Sequence, residues 1–260
     1  MDDLRVRVEA ATQAQVDEVL TRTHDLFDVD DSVVEDDLAW GARCAVGLRS
    51  LTEDFSLDSL AYYYRGLGGE LYERLGAGMI LGASLLTAEG TPCAGEFDLR
   101  TSLAMLVMDR LGAGGSFTEF QAINFDDGVV EMGHDGPAHL AISSGRPILR
   151  GLGTYHGKRG YGVSVQFGVQ EGPVTLLALT QRRDGGLRMI VSEGLVVAGP
   201  LLEIGNTSSR VDFGRNPGEW VDAFCAGGPA HHWALGVGHH ADTLRRVGEL
   251  TGIEVYTDNL

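Results

Sequence analysis

The chain has 260 residues, of which 43% are hydrophobic, so it is long enough to bury a sizeable core in one large domain or two modest ones. Its 37 acidic residues outnumber 20 basic ones, and the formal charge of -17 repels phosphate backbones and anionic lipid headgroups. We therefore expect neither a nucleic-acid partner nor a membrane partner. The start, MDDLRVRVEAAT, lacks the order of a signal peptide, which predicts a cytoplasmic protein.

The first part of the chain alternates between helical and extended patterns. Apolar residues from Val16 to Phe27 have helical spacing, and Asp31 and Ser32 are expected to cap a second helix that runs to about Leu51. The run SLAYYY predicts a strand, and LYERL and MILGASLLTAEG predict helix. FDLRTSLAMLVMDRLGAGG predicts a further helix that ends at its glycines. These patterns predict an α/β domain over residues 1–115.

From about Gly115 the chain changes to short extended runs separated by turns. These runs are FQAINF, GVVEM, HLAIS, YGVSVQFGV, VTLLALTQ, LRMIVSEGLVV and SRVDFG. Their spacing is typical of an antiparallel sheet or barrel. ADTLRRVGELTG predicts a closing helix and IEVY a final strand. The predicted fold is α/β plus β: an N-terminal α/β layer, followed over residues 116–260 by a mainly β, barrel-like C-terminal domain.

Two glycine-containing stretches carry weak signals for ligand binding. YRGLGGEL, residues 64–71, fits neither GxGxxG nor a phosphate loop. GKRG, residues 157–160, places two cations in a turn, and we interpret it as a surface turn rather than an anion site.

Two acidic residues stand out by their position. Glu96 in AGEFD directly precedes a predicted helix, where it either caps the helix or serves a site. Glu119 in SFTEF interrupts an uncharged extended run, so its carboxylate lies either at an exposed edge or in a cleft. Both interpretations stay open for each residue.

Histidines follow in loops. His134 lies in the turn MGHDGPAH after a strand and is either structural or functional. His231 and His232 follow a glycine- and proline-rich segment, and on an extended chain only one of them would face a given ligand. His239 and His240 precede the closing helix and are interpreted as a polar helix entry.

Glu96, Glu119, His134 and one histidine of the pair would offer two carboxylates and two imidazoles. Such a set suits a borderline divalent ion such as manganese, with cobalt, iron, nickel and zinc as competitors. The four positions are too dispersed along the sequence to form a diagnostic metal motif.

Five segments occur in an order that resembles a known family. GEFD, GGSFTEF, GHDGPAH, LLEIGNTSSRVDF and GGPAHHWALGVGH are together similar to the catalytic part of the L-arabinose and L-fucose isomerase superfamily, over roughly residues 75–258. The resemblance implies a metal-dependent aldose-ketose isomerase that moves a proton between C1 and C2 of an open-chain monosaccharide through an enediol.

The resemblance also implies roles for individual residues. It places metal ligands at Glu96, Glu119, His134 and His232, with Mn²⁺ as the first choice of ion, and His231 beside them as a substrate-facing residue. Glu96 and Glu119 would also act as base and acid in the proton transfer.

The family's N-terminal nucleotide-binding-like domain, which helps to cover a neighbouring subunit's active site, is expected to be absent. We therefore expect a homo-oligomer, or a partner chain that supplies this domain. Two alternatives stay open: a sugar-binding or regulatory remnant with impaired catalysis, and one half of a split isomerase. The residue after Glu119 is Phe120, where arabinose isomerases often carry another acid, so the sugar is not assigned.

Overall fold

A computed structural model of the protein describes residues 1–63, 70–155 and 158–258. Residues 64–69 of the glycine-rich stretch, with the predicted end of the SLAYYY strand, lie outside the described residues, and so does Gly157 of the GKRG turn. The described helices are α1 Asp2–Ala10, α2 Gln13–Leu26, α3 Glu35–Asp54, α4 Glu70–Ala88, α5 Leu99–Arg110, α6 Pro217–Ala226 and α7 Ala241–Thr251. The described strands are β1 Asp28–Val29, β2 Leu60–Ala61, β3 Cys93–Ala94, β4 Gly114–Asn124, β5 Val129–Gly133, β6 Ile148–Gly151, β7 Thr154–Tyr155, β8 Lys158–Arg159, β9 Val163–Gly168, β10 Gly172–Gln181, β11 Leu187–Val196, β12 Thr207–Asp212, β13 Trp233–Val237 and β14 Glu254–Thr257.

Six antiparallel strands close into a barrel. Around the ring, β4 is followed by β13, β10, β11, β12 and β5, which pairs with β4 again. The closing ladder between β11 and β12 is short, with Leu195 opposite Asp212 and Val196 opposite Val211. Strands β9, β6 and β1 continue the sheet beside β12, and β14 runs parallel to β11. The prediction of a mixed α/β fold with a barrel-like part is confirmed.

Helices cover the barrel with apolar side chains. Helix α5 buries Met105 and Met108 in one cluster with Phe117 of β4 and Leu177 of β10. Helix α4 contributes to a second cluster, in which Ile80 belongs with residues of β5, β6 and β9. Full burial of a large apolar side chain stabilises the fold by roughly 1.5–3 kcal/mol, so these contacts fix α5 against β4. This placement matters because α5 begins beside the candidate site.

The first part of the chain is more helical than its sequence pattern predicts. Among the described residues before β4, the strands have only two residues each, whereas α1 to α5 make up most of the segment. The strand predicted at SLAYYY is reduced to β2, since its partner β3 offers only Cys93 and Ala94 for pairing. Helix α3 begins at Glu35, after an N-cap at Val34, and not at the predicted Asp31 and Ser32 cap.

Two predictions in the second part are corrected. HLAIS forms a short 3-10 helix, Leu140–Ile142, instead of a strand, because the His139 ring accepts a hydrogen bond from the amide of Ala141. Helix α6 has no counterpart in the predicted elements, although Asn216 caps it and Pro217 occupies its first position.

No helix in the described ranges combines the length and the apolar character needed to cross a bilayer.

The division of the chain at residue 115 into two domains stays a prediction.

Candidate metal centre

The pairing of β4 brings Glu119 between two histidines. Glu119 lies opposite Gly133, the last residue of β5, and His134 follows directly. On the other side, β13 begins opposite the residue before Glu119, and His232 directly precedes β13. The two neighbours of β4 therefore deliver one histidine each at the level of Glu119.

The backbone of His134 is held by β12. The amide of His134 donates to Thr207 Oγ1 at 3.1 Å, and the amide of Thr207 donates to the carbonyl of His134 at 3.2 Å. A Cβ atom at Gly133 would lie 1.8 Å from the carbonyl oxygen of Thr207, so only glycine permits this approach. Gly133 thus allows the end of β5 to lie close against Thr207.

Glu96 reaches the site from the turn before α5. Glu96 and Phe97 both adopt left-handed backbone angles, with φ of 55° and 57°, which residues with a side chain rarely do. The N-cap of α5 is Asp98, whose carboxylate accepts from the amide of Thr101 at 3.0 Å. The interpretation of Glu96 as the capping acid is therefore wrong, and its carboxylate faces the histidines instead.

The structure brings the five predicted site residues together, and we call them the candidate metal cluster: Glu96, Glu119, His134, His231 and His232. Potential ligand atoms of Glu119, His134 and His232 lie within 4.8 Å of one another. The same holds for Glu96, His231 and His232. Their roles as ligands, acids or bases stay predictions.

The ring of His232 is buried and fixed at one nitrogen. His232 Nδ1 lies 3.2 Å from Asp98 Oδ2, and the hydroxyl oxygen of Thr101 lies 3.1 Å from the His232 carbonyl oxygen. Among the described residues, the buried Nε2 of His232 has no hydrogen-bond partner, and it lies 3.6 Å from Glu96 Oε2. With the proton on Nδ1, Nε2 carries a lone pair that is costly to bury unless a ligand takes it up.

His134 is arranged in a similar way. Its Nδ1 donates to the carbonyl oxygen of Asp135, and its Nε2 lies 3.9 Å from Glu119 Oε1. Burial lowers the pKa of His134 against the opposing attraction of Asp135 and Glu119, so the neutral ring is favoured. A neutral imidazole with an accepting Nε2 is the form that binds a metal ion.

Asp98 keeps its negative charge in this environment. Burial raises the pKa of its carboxyl group, but hydrogen bonds from His232 and from the amide and hydroxyl of Thr101 outweigh burial and lower the pKa to about 2. A charged Asp98 therefore orients the His232 ring at neutral pH, as the outer partners of metal-binding histidines do.

A buried phenylalanine lies under both rings. The ring of Phe117 is fully buried, with its centroid 4.5 Å from that of His134 and 4.4 Å from that of His232. The two imidazole centroids are 5.2 Å apart. Phe117 therefore packs against both imidazoles and limits how they can move.

His231 faces the cluster as well, which corrects a prediction. Its side chain is 71% exposed, its Nε2 lies 2.7 Å from Glu119 Oε2, and its ring centroid is 4.3 Å from that of His232. The expectation that only one of the pair faces a common ligand is wrong, because the chain bends at His231 and is not extended there.

The second pair of histidines makes structural hydrogen bonds. His239 Nε2 lies 3.3 Å from the carbonyl of Gly194, and His240 Nε2 lies 2.9 Å from the carbonyl of Val237. His240 is also the N-cap residue of α7. In the described ranges, neither belongs to a group that could hold a metal ion.

Sequence reasoning missed three residues that support the cluster: Asp98, Phe117 and Thr207. Only Asp98 leaves a signal, since an aspartate at the start of a segment with helical spacing is a typical N-cap residue. Phe117 and Thr207 act through contacts with residues far away in the chain, which spacing does not reveal.

Comparison with known proteins points to sugar isomerases. Over 98% of its length the chain is 28% identical to an L-arabinose isomerase of Nocardioides sp. and covers 52% of that protein. Over 71% of its length it is 26% identical to an L-arabinose isomerase of Clavibacter sepedonicus and 25% identical to a sulfoquinovose isomerase of Priestia aryabhattai. No family model matches the chain.

The chain spans about half the length of the first of these relatives and covers 38% and 41% of the other two. At this level the similarity supports a relationship to sugar isomerases as a class. The link to L-fucose isomerases in particular stays a prediction.

Proposed function

We propose that the chain carries the active site of a metal-dependent aldose-ketose isomerase. The observation that carries this proposal is the buried Nε2 of His232, which lacks a hydrogen-bond partner in the described part of the chain and lies 3.6 Å from Glu96. The large majority of buried polar side-chain atoms have a hydrogen-bond partner, so an unpartnered imidazole nitrogen calls for a ligand. In a metal-dependent sugar isomerase, this nitrogen would be a ligand of the metal ion.

The residues present fit a divalent ion. Glu96, Glu119, His134 and His232 would hold it, and their mixed oxygen and nitrogen ligands favour Mn²⁺, with Co²⁺, Fe²⁺, Ni²⁺ and Zn²⁺ as competitors. When bound, such an ion polarises neighbouring sugar oxygens and acidifies the proton on C2. Asp98 and the carbonyl of Asp135 keep the two Nε2 lone pairs directed into the cluster.

The two carboxylates would carry out the proton transfer. In the net reaction one hydrogen moves from C2 to C1 and one from O2 to O1. Glu96 comes from the turn before α5 and Glu119 from β4, so the carboxylates reach the cluster from different elements. We assign them as base and acid: one removes the C2 proton while the other protonates O1 to give the enediol. The first then returns its proton to C1 while the second takes the proton of O2, which restores both carboxyl groups.

His231 would assist Glu119 and contact the sugar. Its Nε2 is within hydrogen-bond distance of Glu119 Oε2, so the two groups can exchange a proton. Its exposed ring lies at the open side of the cluster, where a substrate oxygen would enter. This is the substrate-binding role that the family resemblance implies for the residue.

The ligand would be a small monosaccharide. The names of the relatives suggest L-arabinose and sulfoquinovose as the first compounds to test, followed by L-fucose and D-galactose. We further propose a homo-oligomer or a partner chain that covers the cluster, since the side chains of Glu96 and His231 are 36% and 71% exposed.

The proposal is tested by measuring bound Mn²⁺ and ketose formation from each sugar. Wild-type protein and the Glu96→Gln and Glu119→Gln variants would be compared with Glu219→Gln, an exposed glutamate on α6. We expect both cluster variants to lose metal affinity and turnover while Glu219→Gln keeps both. If Glu96→Gln bound Mn²⁺ as tightly as wild type, the site assignment would be refuted. If a sugar stabilised the protein but no ketose formed, the isomerase assignment would be refuted.

A further inference from the structure

The bend between α6 and β13 places two neighbouring histidines on the same side. Consecutive side chains of an extended strand point in opposite directions. Here the rings of His231 and His232 contact each other, with their centroids 4.3 Å apart, and both belong to one group with Glu96. This arrangement depends on the backbone conformation of the four residues 230–233.

An indole hydrogen bond spans this bend. Trp233 Nε1 donates to the carbonyl oxygen of Ala230 at 2.8 Å, so the first residue of β13 reaches back across both histidines. The Trp233 side chain is 2% exposed, which removes competing water from the hydrogen bond.

The indole is itself held by two neighbouring elements. Its ring packs edge to face against Phe120 at 4.4 Å and against Phe224 of α6 at 5.0 Å. Phe120 follows Glu119 directly on β4. The same side chain therefore contacts the strand that carries Glu119 and fixes the bend that carries the two histidines.

We propose that Trp233 is a positioning residue of the cluster: its indole N–H holds the Ala230 carbonyl and so turns both His231 and His232 toward Glu96 and Glu119. This inference rests on the proposed metal site. Asp98 and Thr101 orient His232 from the α5 side, and Trp233 fixes the backbone on the other side of the pair.

The test compares two tryptophan variants. Trp233→Phe keeps an aromatic ring but removes the N–H donor. Trp220→Phe is the matched control, since Trp220 is fully buried and its ring also packs against Phe120 and Phe224. Its indole N–H donates to Ser192 Oγ of β11 at 2.8 Å and not to the bend, so the two variants differ in which hydrogen bond is lost. Metal-free protein would be titrated with Co²⁺ and followed by visible absorption, with thermal unfolding of the metal-free forms measured in parallel.

We expect both variants to unfold at a lower temperature than wild type, because each loses a buried hydrogen bond. Only Trp233→Phe should raise the Kd for Co²⁺, by about 10- to 100-fold, and change the visible spectrum of bound Co²⁺. Equal Kd values for the two variants would overturn the positioning role. A wild-type protein that binds no Co²⁺ would instead refute the metal site.

A measurement on unaltered protein covers the case in which Trp233→Phe does not fold. The indole N–H exchange rates of Trp220 and Trp233 would be followed by NMR with and without Zn²⁺, after assignment with Trp220→Phe and Trp40→Phe. If the bend and the metal site are coupled, Zn²⁺ should slow exchange at Trp233 but not at Trp220. Exchange at Trp233 that Zn²⁺ leaves unchanged would contradict the proposal.

Discussion

The carboxylate of Asp98 holds the imidazole of His232, with Asp98 Oδ2 3.2 Å from His232 Nδ1. This contact directs the opposite nitrogen, Nε2, toward Glu96. Asp98 also caps α5 through the amide of Thr101, so the same carboxylate fixes the start of the helix and the orientation of the histidine. The geometry of the cluster is thereby tied to the packing of α5 on the barrel.

Asp98→Asn should weaken metal binding while the helix cap is kept. Asparagine caps a helix about as well as aspartate, but it lacks the charge that holds the proton on His232 Nδ1. We expect the Kd for Mn²⁺, measured by calorimetry, to rise about 10- to 100-fold with little loss of stability.

The control for this variant is Asp109→Asn. Asp109 Oδ1 lies 3.1 Å from Nε2 of the buried His139, which is outside the candidate metal cluster. This variant should leave the Kd for Mn²⁺ unchanged. If both variants weakened binding equally, the specific contribution of Asp98 would be disproved.

His134 should make the stability of the metal-free protein pH-dependent. Burial lowers its pKa below the ordinary value of 6.5, so the unfolded chain binds more protons than the folded one as the pH falls below that value. The free energy of unfolding, measured with urea, is therefore expected to fall as the pH is lowered from about 7 to 5.

The His134→Gln variant lacks the titrating imidazole, so its free energy of unfolding should fall less than that of wild type over the same pH range. His24→Gln is the matched control, because His24 is exposed on α2. It should show the same fall as wild type. A steeper fall for His134→Gln than for wild type would show that burial does not favour the neutral ring.

Phe97 has a left-handed backbone conformation just before α5, so its replacement by glycine should not lower the free energy of unfolding. Phe97 has a φ of 57° and is 59% exposed, so glycine relieves a strain of roughly 1 kcal/mol or more and loses little burial. Phe97→Gly should be neutral or raise the free energy of unfolding by up to about 1 kcal/mol.

Phe125→Gly provides the comparison, since Phe125 is 64% exposed and is not among the described residues with positive φ. It should lose roughly 0.5–1 kcal/mol through the greater entropy of the unfolded chain. Both variants would be compared by urea unfolding of the metal-free protein. Equal destabilisation of the two would argue against strain at Phe97.

Sequence reasoning anticipated the barrel-like part and the membership of the cluster for different reasons. Short apolar runs such as VTLLALTQ predict strands locally, and β10 forms where that run occurs. Residue type and position group Glu96, Glu119 and His134 with one histidine of the pair, whereas only the family resemblance singles out His232. The closure of the barrel depends on two residue pairs between β11 and β12, which no local pattern indicates.

The two main errors have different physical origins. The bend at His231 depends on an indole that reaches back to Ala230, so a strand-like expectation failed there. Helix α6 was missed although its cap at Asn216 is a recognisable signal, because the surrounding segments read as strands and turns.

The central claim is that the candidate metal cluster binds one divalent ion, and anomalous diffraction from crystals grown with Mn²⁺ tests it most directly. We predict an anomalous peak bounded by Glu96, Glu119, His134 and His232, which disappears in crystals of His232→Ala. A peak at any other position, or a peak in the cluster that persists in His232→Ala, would contradict the account.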